Sequence, residues 1–118
     1  MKRLTILALS MLAGLAQAQS FPSKNISIVV PFAAGGPTDR VARDLAEALR
    51  KPLGATIVIE NAAGAGSTIG TAKVARAAAD GHTLLLTHIG MASAPGLYRK
   101  LAYKPLEDFE YLGIINDV

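Results

Sequence analysis

Ile26-Ser27-Ile28-Val29-Val30-Pro31-Phe32-Ala33-Ala34-Gly35-Gly36-Pro37-Thr38-Asp39 joins three backbone preferences in one short run. Ile26, Ile28, Val29 and Val30 are apolar and β-branched, as in a strand buried on both faces. The run stops at Pro31. Ala33-Ala34-Gly35-Gly36 is a loop of small residues. Pro37 then opens a helix, because its fixed φ suits the first helical turn and its missing N–H loses no partner there. Strand, glycine turn and helix N-terminus in this order aim free N–H groups and the positive end of the helix dipole at one point. That point suits an anion, which side-chain-free glycines let approach the backbone. The same residues also fit an ordinary tight turn. Thr38 and Asp39 read either as ligand or loop-organising groups or, by residue type, as helix caps, and for Asp39 capping is the stronger of the two.

Before this stretch lies a processing segment. Lys2 and Arg3 are basic, Leu4 to about Ala13 is apolar, and Ala16-Gln17-Ala18 is a small-x-small cleavage site. The apolar part is shorter than the roughly 20 residues a membrane span needs. Residues 1–18 therefore read as a secretory signal cut after Ala18, which leaves residues 19–118 as the mature chain. Without Lys2 and Arg3, 10 basic residues stand against 9 acidic ones. No lysine-rich stripe marks a nucleic-acid partner. The chain has no cysteine, which excludes disulfides, thiol catalysis and Cys-ligated metal. Leu15 follows Leu12-Ala13-Gly14 where a lipoprotein signal would place its lipidated cysteine, so no lipid anchor is expected.

Beyond Asp39 the pattern alternates. The first strand covers about Asn25 to Val30. A helix from Pro37 to about Arg50 places Val41, Leu45, Ala48 and Leu49 on one face, with Pro52 and Gly54 ending it. A second strand, Thr56 to Glu60, leads into the small-residue loop Asn61 to Thr68. A second helix, Ser67 to Ala78, is alanine-rich, and Gly81 is its expected left-handed cap. A third strand runs from His82 to Thr87. A short helix is expected at Pro95–Leu101, and a fourth strand from Tyr111 onward. Strands separated by helices with short connections predict an α/β fold with a parallel sheet and right-handed crossovers. All three loops then fall at the carboxyl ends of strands, the edge where open parallel sheets bind ligands.

Several sharper motifs fail on spacing. Gly64-Ala65-Gly66-Ser67-Thr68-Ile69 has Ile69 where a dinucleotide fingerprint needs glycine. No lysine follows a glycine run as in a phosphate loop. Ser67 and Ser93 lack a nucleophile elbow. His82 reads as a surface residue and His88 as a solvated or structurally bonded one at the ligand edge, where a ligand carboxylate is within its reach. Two histidines without clustered carboxylates make no metal site, and no cofactor is expected.

Pro31 to Asp39, Val58-Ile59-Glu60-Asn61 with Gly64-Ala65-Gly66, Ala79 to Leu85, Leu97 to Leu101 with Tyr103, and Asp108-Phe109-Glu110 occur in one order and spacing. Together they resemble the Bug family of extracytoplasmic solute receptors, the substrate-binding components of tripartite tricarboxylate transporters. The resemblance implies a two-lobed periplasmic-binding-protein fold closing on its ligand like a hinge, of which residues 19–118 are the N-terminal part of the first lobe. It also implies a periplasmic, non-enzymatic receptor. The ligand is a small carboxylate, either an organic acid or an amino acid, and membrane transporter subunits are transient partners. Carried over by position, the ligand contacts are Phe32, Ala33, Ala34, Gly35, Thr38 and Asp39 in the first loop, Gly66 and Ser67 in the second, and Thr87 and His88 in the third. His88 departs from the family's small polar residues, and Asn61-Ala62-Ala63 from its Asn-Arg-Pro type. Family members are roughly two to three times longer, as two lobes require. Two other readings stay open: a truncated remnant with an unpaired sheet edge, and an exported α/β enzyme.

Overall fold

The structure, a computed structural model, describes residues 20–116. The expected signal segment and cleavage site lie outside the described residues. The elements alternate as strands β1 (Ile26–Val30), β2 (Ile57–Asn61) and β3 (Thr83–Leu85) with helices α1 (Pro37–Leu53), α2 (Thr68–Ala75) and α3 (Gly90–Leu97). A single turn of tighter helix, Ala65–Ser67, precedes α2. No described helix is long and apolar enough to cross a membrane.

The sheet is parallel with strand order β2-β1-β3. Ile28 of β1 pairs with Ile59 on one side and Leu84 on the other. β1 is thus the central strand, and Ile26, Ile28, Val29 and Val30 are almost fully buried. Side chains alternate along a strand. Ile26, Ile28 and Val30 pack with Ala42 and Ala46 of α1 and with Ile57. Val29 points to the opposite face, the face that takes α2, which touches both β1 and β3. The chain moves from β1 out to β2, then back across β1 to β3. Two right-handed crossovers in opposite directions place their helices on opposite faces. This order is that of a doubly wound sheet whose direction switches between β1 and β3.

The expected α/β fold is present, with shifted boundaries that have physical causes. α1 runs through Pro52 to Leu53. Gly54 at φ 58° ends it, its N–H turning back to the Lys51 carbonyl at 3.3 Å. Ala48, expected on the apolar face of α1, is exposed. α2 stops at Ala75, where Arg76 closes the last turn onto Lys73, so Gly81 caps no helix. At φ 81° it shapes the turn into β3. β3 is shorter than expected, although its pairing with β1 extends through Ser27 N–H to His82 O (2.8 Å) and Leu86 N–H to Val29 O (3.0 Å). The last helix begins at Gly90 and carries Pro95 inside it, instead of starting there. Residues 111–116 form no strand. β1 already has partners on both sides, so the sheet's open edges lie along β2 and β3, and Tyr111, Leu112 and Ile114 are exposed.

Gly70 sets how closely α2 approaches the sheet. A Cβ there would lie 2.7 Å from the Ala62 carbonyl and 2.8–2.9 Å from Pro31. Only glycine permits that contact, which brings the ends of β1, β2 and α2 together.

Candidate ligand edge

The loops after β1 (31–36), β2 (62–67) and β3 (86–89) leave the sheet at its carboxyl end. The loops after β1 and β3 flank the switch point, where open α/β sheets form their crevice.

The first loop is built around Asp39. This side chain is 1% exposed and accepts four hydrogen bonds: Oδ2 takes the Gly35 N–H (2.8 Å) and Arg43 Nε (2.9 Å), and Oδ1 takes Asn61 Nδ2 (2.9 Å) and Arg43 Nη2 (3.2 Å). The Arg43 side chain first, then the Gly35 N–H and Asn61, lower its carboxyl from 3.8 to about 2. Asp39 caps no helix, because Gly36 is the N-cap and no side chain closes it. It fixes the loop, holding Gly35 at φ 82°. Asn61 ties in the second strand by donating also to the Phe32 carbonyl at 3.2 Å. Ala33 and Ala34 are exposed, and their N–H groups donate to no described residue. Half-buried Thr38 sits in the first turn of α1, where helix geometry leaves N–H groups without partners.

The second loop is strained. Gly64, Ala65, Gly66 and Ser67 have φ of 135°, 44°, 58° and 78° in succession, and two of the four carry side chains. Left-handed backbone costs a non-glycine residue about 1–2 kcal/mol. Ser67 is 2% exposed, and its Oγ has no partner among the described residues. Its carbonyl accepts the Thr71 hydroxyl at 2.9 Å. Gly66 serves packing, since the Tyr98 hydroxyl fills the space a Cβ would need.

In the third loop the Thr87 hydroxyl is buried and likewise unpartnered. His88 is exposed and stacks on Phe32, with ring centroids 4.2 Å apart and planes 14° from parallel. This stack bridges the first and third loops across the switch point. The Gly90 N–H donates to His88 Nδ1 at 3.2 Å. Ser67 Oγ lies 3.6 Å from where a Gly90 side chain would begin, which brings the second and third loops together.

The ten expected positions therefore sort by place. Phe32 and His88 meet directly. Ala33, Ala34, Gly35 and Thr38 line the first loop. Asp39 lies beneath it, Ser67 and Thr87 present buried hydroxyls, and Gly66 is covered by Tyr98. Arg43, Asn61 and Tyr98 complete the edge. Arg43 follows Asp39 by one helical turn, an i,i+4 spacing that marks a pair. Clefts of about 290 Å³ lie elsewhere: one along the flank of α2 by Ile69, Arg76 and Lys100, the other beside His82.

His82 is buried, contrary to its reading as a surface residue. The Ser23 N–H donates to its Nε2 (3.2 Å), its Nδ1 lies 3.1 Å from the Asp80 carbonyl, and Phe21 packs on its ring at 4.9 Å. Lys24 first, then the His82 N–H, lower the Asp80 carboxyl to about 2. This cluster sits where β3 begins, at the opposite edge of the sheet.

The family model "Tripartite tricarboxylate transporter family receptor" matches residues 41–118. A UPF0065 protein of Agrobacterium vitis, from the TAR-I ttuE-ttuC' intergenic region, is 50% identical over 96% of this chain and 33% of its own length. The solved periplasmic binding protein BugD superposes with a TM-score of 0.74 at 56% identity, over 76% of this chain and 30% of that one. MatC from Rhodopseudomonas palustris with bound malate gives 0.72 at 50% identity, over 75% and 31%. The chain thus spans about a third of the length of the relatives it matches. It belongs to the tripartite tricarboxylate transporter receptor family.

Proposed function

We propose that this chain forms the N-terminal part of the first lobe of a periplasmic receptor that binds a small carboxylate and hands it to a tripartite transporter's membrane subunits. Residues 1–18 direct its export and are removed after Ala18. The observation that carries the reading is the convergence of three small-residue loops at the β1/β3 switch point, bridged by the Phe32–His88 stack. The loops present N–H groups at Ala33, Ala34 and the start of α1, and hydroxyls at Ser67 and Thr87. None of residues 31–36, 62–67 or 86–89 is Lys or Arg. A carboxylate would be held by backbone donors, the α1 dipole and hydroxyls instead of by a formal cation. The bound malate of MatC supports the ligand class.

Calorimetric titration of the exported chain with malate and succinate tests this. Saturable binding weaker than micromolar is expected, because one edge encloses a ligand incompletely. Turnover of an ester or phosphate substrate, lost on changing one Ser or His, would instead establish the enzyme reading.

A further inference from the structure

Asp39 and His88 are two titratable side chains at the carboxyl edge, and the structure leaves them with opposite capacities. A carboxylate has about four lone-pair sites. Those of Asp39 are filled by Gly35, Asn61 and both Arg43 contacts, and the group is buried. It has nothing left with which to accept from a ligand. His88 is exposed, and its Nδ1 accepts the Gly90 N–H. In a neutral imidazole, the nitrogen that accepts a hydrogen bond leaves the proton on the other one. In the neutral ring the proton therefore sits on Nε2, which bonds to no described residue. Stacking on Phe32 fixes the plane of the ring and hence the direction in which Nε2–H points.

Resting on the receptor reading above, we propose that His88 offers its Nε2–H as a fixed donor to a carboxylate at the β1/β3 crevice, and that the ligand end received there bears no amine. An ammonium group brings N–H donors and needs acceptors. It would meet the His88 N–H, the free amides of the first loop and a saturated Asp39. Only the neutral hydroxyls of Ser67 and Thr87 could accept from it, whereas a carboxylate meets N–H donors and hydroxyls that can turn to donate. His88 thus favours an oxygen ligand at this position.

The test reads nitrogen directly. In the exported, uniformly ¹⁵N-labelled chain, two- and three-bond ¹H–¹⁵N correlations should show neutral His88 as the Nε2–H tautomer. Glycolate should shift the Nε2 resonance saturably. Glycine, which replaces the hydroxyl by an ammonium group, should bind about tenfold more weakly, the worth of one hydrogen bond to a charged group. Glutamine places its amide nitrogen near the Nε2 position, asparagine near Nδ1. H88Q should keep affinity within about threefold, whereas H88N and the stacking-only H88F should lose about tenfold. An Nδ1–H tautomer, equal binding of glycine and glycolate, or wild-type affinity in H88F would each overturn the proposal while leaving the receptor reading intact. No binding by wild type to glycolate, malate or succinate would overturn both.

Discussion

Each edge of the sheet has one aspartate and one histidine, and the two edges use them differently. At the amino edge His82 is buried with both ring nitrogens engaged, and Asp80 is tied to Lys24 at 2.7 Å and to the His82 N–H at 3.0 Å. These groups spend their capacity on joining residues 21–24 to the start of β3. At the carboxyl edge Asp39 is equally engaged, but what it fixes is a loop whose own donors stay open. His88 is exposed with one nitrogen unused among the described residues, and two hydroxyls are buried there without partners among them. Buried polar groups are ordinarily satisfied, and strained backbone costs stability, so both persist where something else requires them. The polar groups of the amino edge bond to one another, and those of the carboxyl edge leave donors open, as the proposed receptor role requires.

The largest expected effect comes from Gly70→Ala. Its Cβ would meet the Ala62 carbonyl and Pro31, two groups of the main-chain frame that cannot turn aside. A loss of about 3 kcal/mol in denaturant unfolding is expected, the upper part of the range for overpacking. Gly81→Ala at the amino edge meets only the Phe21 ring and should cost about 1 kcal/mol for its left-handed backbone. Equal losses would erase the distinction between a rigid and a yielding contact.

Acid should act on both edges. The Asp39 and Asp80 carboxyls lie at about 2 in the folded chain, below the ordinary 3.8. A depressed folded value means that the unfolded chain binds protons first as pH falls. The stabilisation is therefore complete above about pH 4 and lost progressively as pH drops toward 2. Asp39→Asn and Asp80→Asn should each reduce the pH dependence of the melting temperature in that window. Amide exchange at Gly35 should quicken only in the Asp39 variant, since that N–H is bonded to it.

The smallest effect has the opposite sign. Ser67→Gly relieves a φ of 78° and removes a buried hydroxyl without a partner. It should stabilise the chain by about 1 kcal/mol after the entropy cost of glycine and weaken carboxylate binding. A variant that gains stability with binding unchanged would show that the strain at Ser67 serves no ligand.

Much of this arrangement is readable from local pattern. The β-branched run at 26–30, Pro37 at the start of α1, and the alternation of strands and helices carry the parallel sheet and place its loops at one edge. Contacts remote in sequence are less legible. His82 looks exposed beside Asp80-Gly81, since the groups that bury it, Phe21 and Ser23, lie about 60 residues earlier. Asp39 resembles a cap because its residue type suits that position, whereas its partners Gly35, Arg43 and Asn61 are brought together only when α1 packs beside β2. Arg43 looks like part of a solvated face and is half of that pairing. Gly70 misses a nucleotide fingerprint by one position, and its actual constraint, contact with Ala62 and Pro31, is tertiary. α3 is hidden because Pro95 suggests a start, whereas the helix has already begun at Gly90.

A ¹H–¹⁵N correlation titration of the exported chain with malate tests the central contrast most directly. The account predicts saturable shifts at the amides of Ala33, Ala34, Gly35, Thr38, Asp39, Thr87 and His88, with Ser23 and His82 unmoved. Shifts centred on Ser23, Asp80 and His82, or no saturable shift at the carboxyl edge, would contradict it.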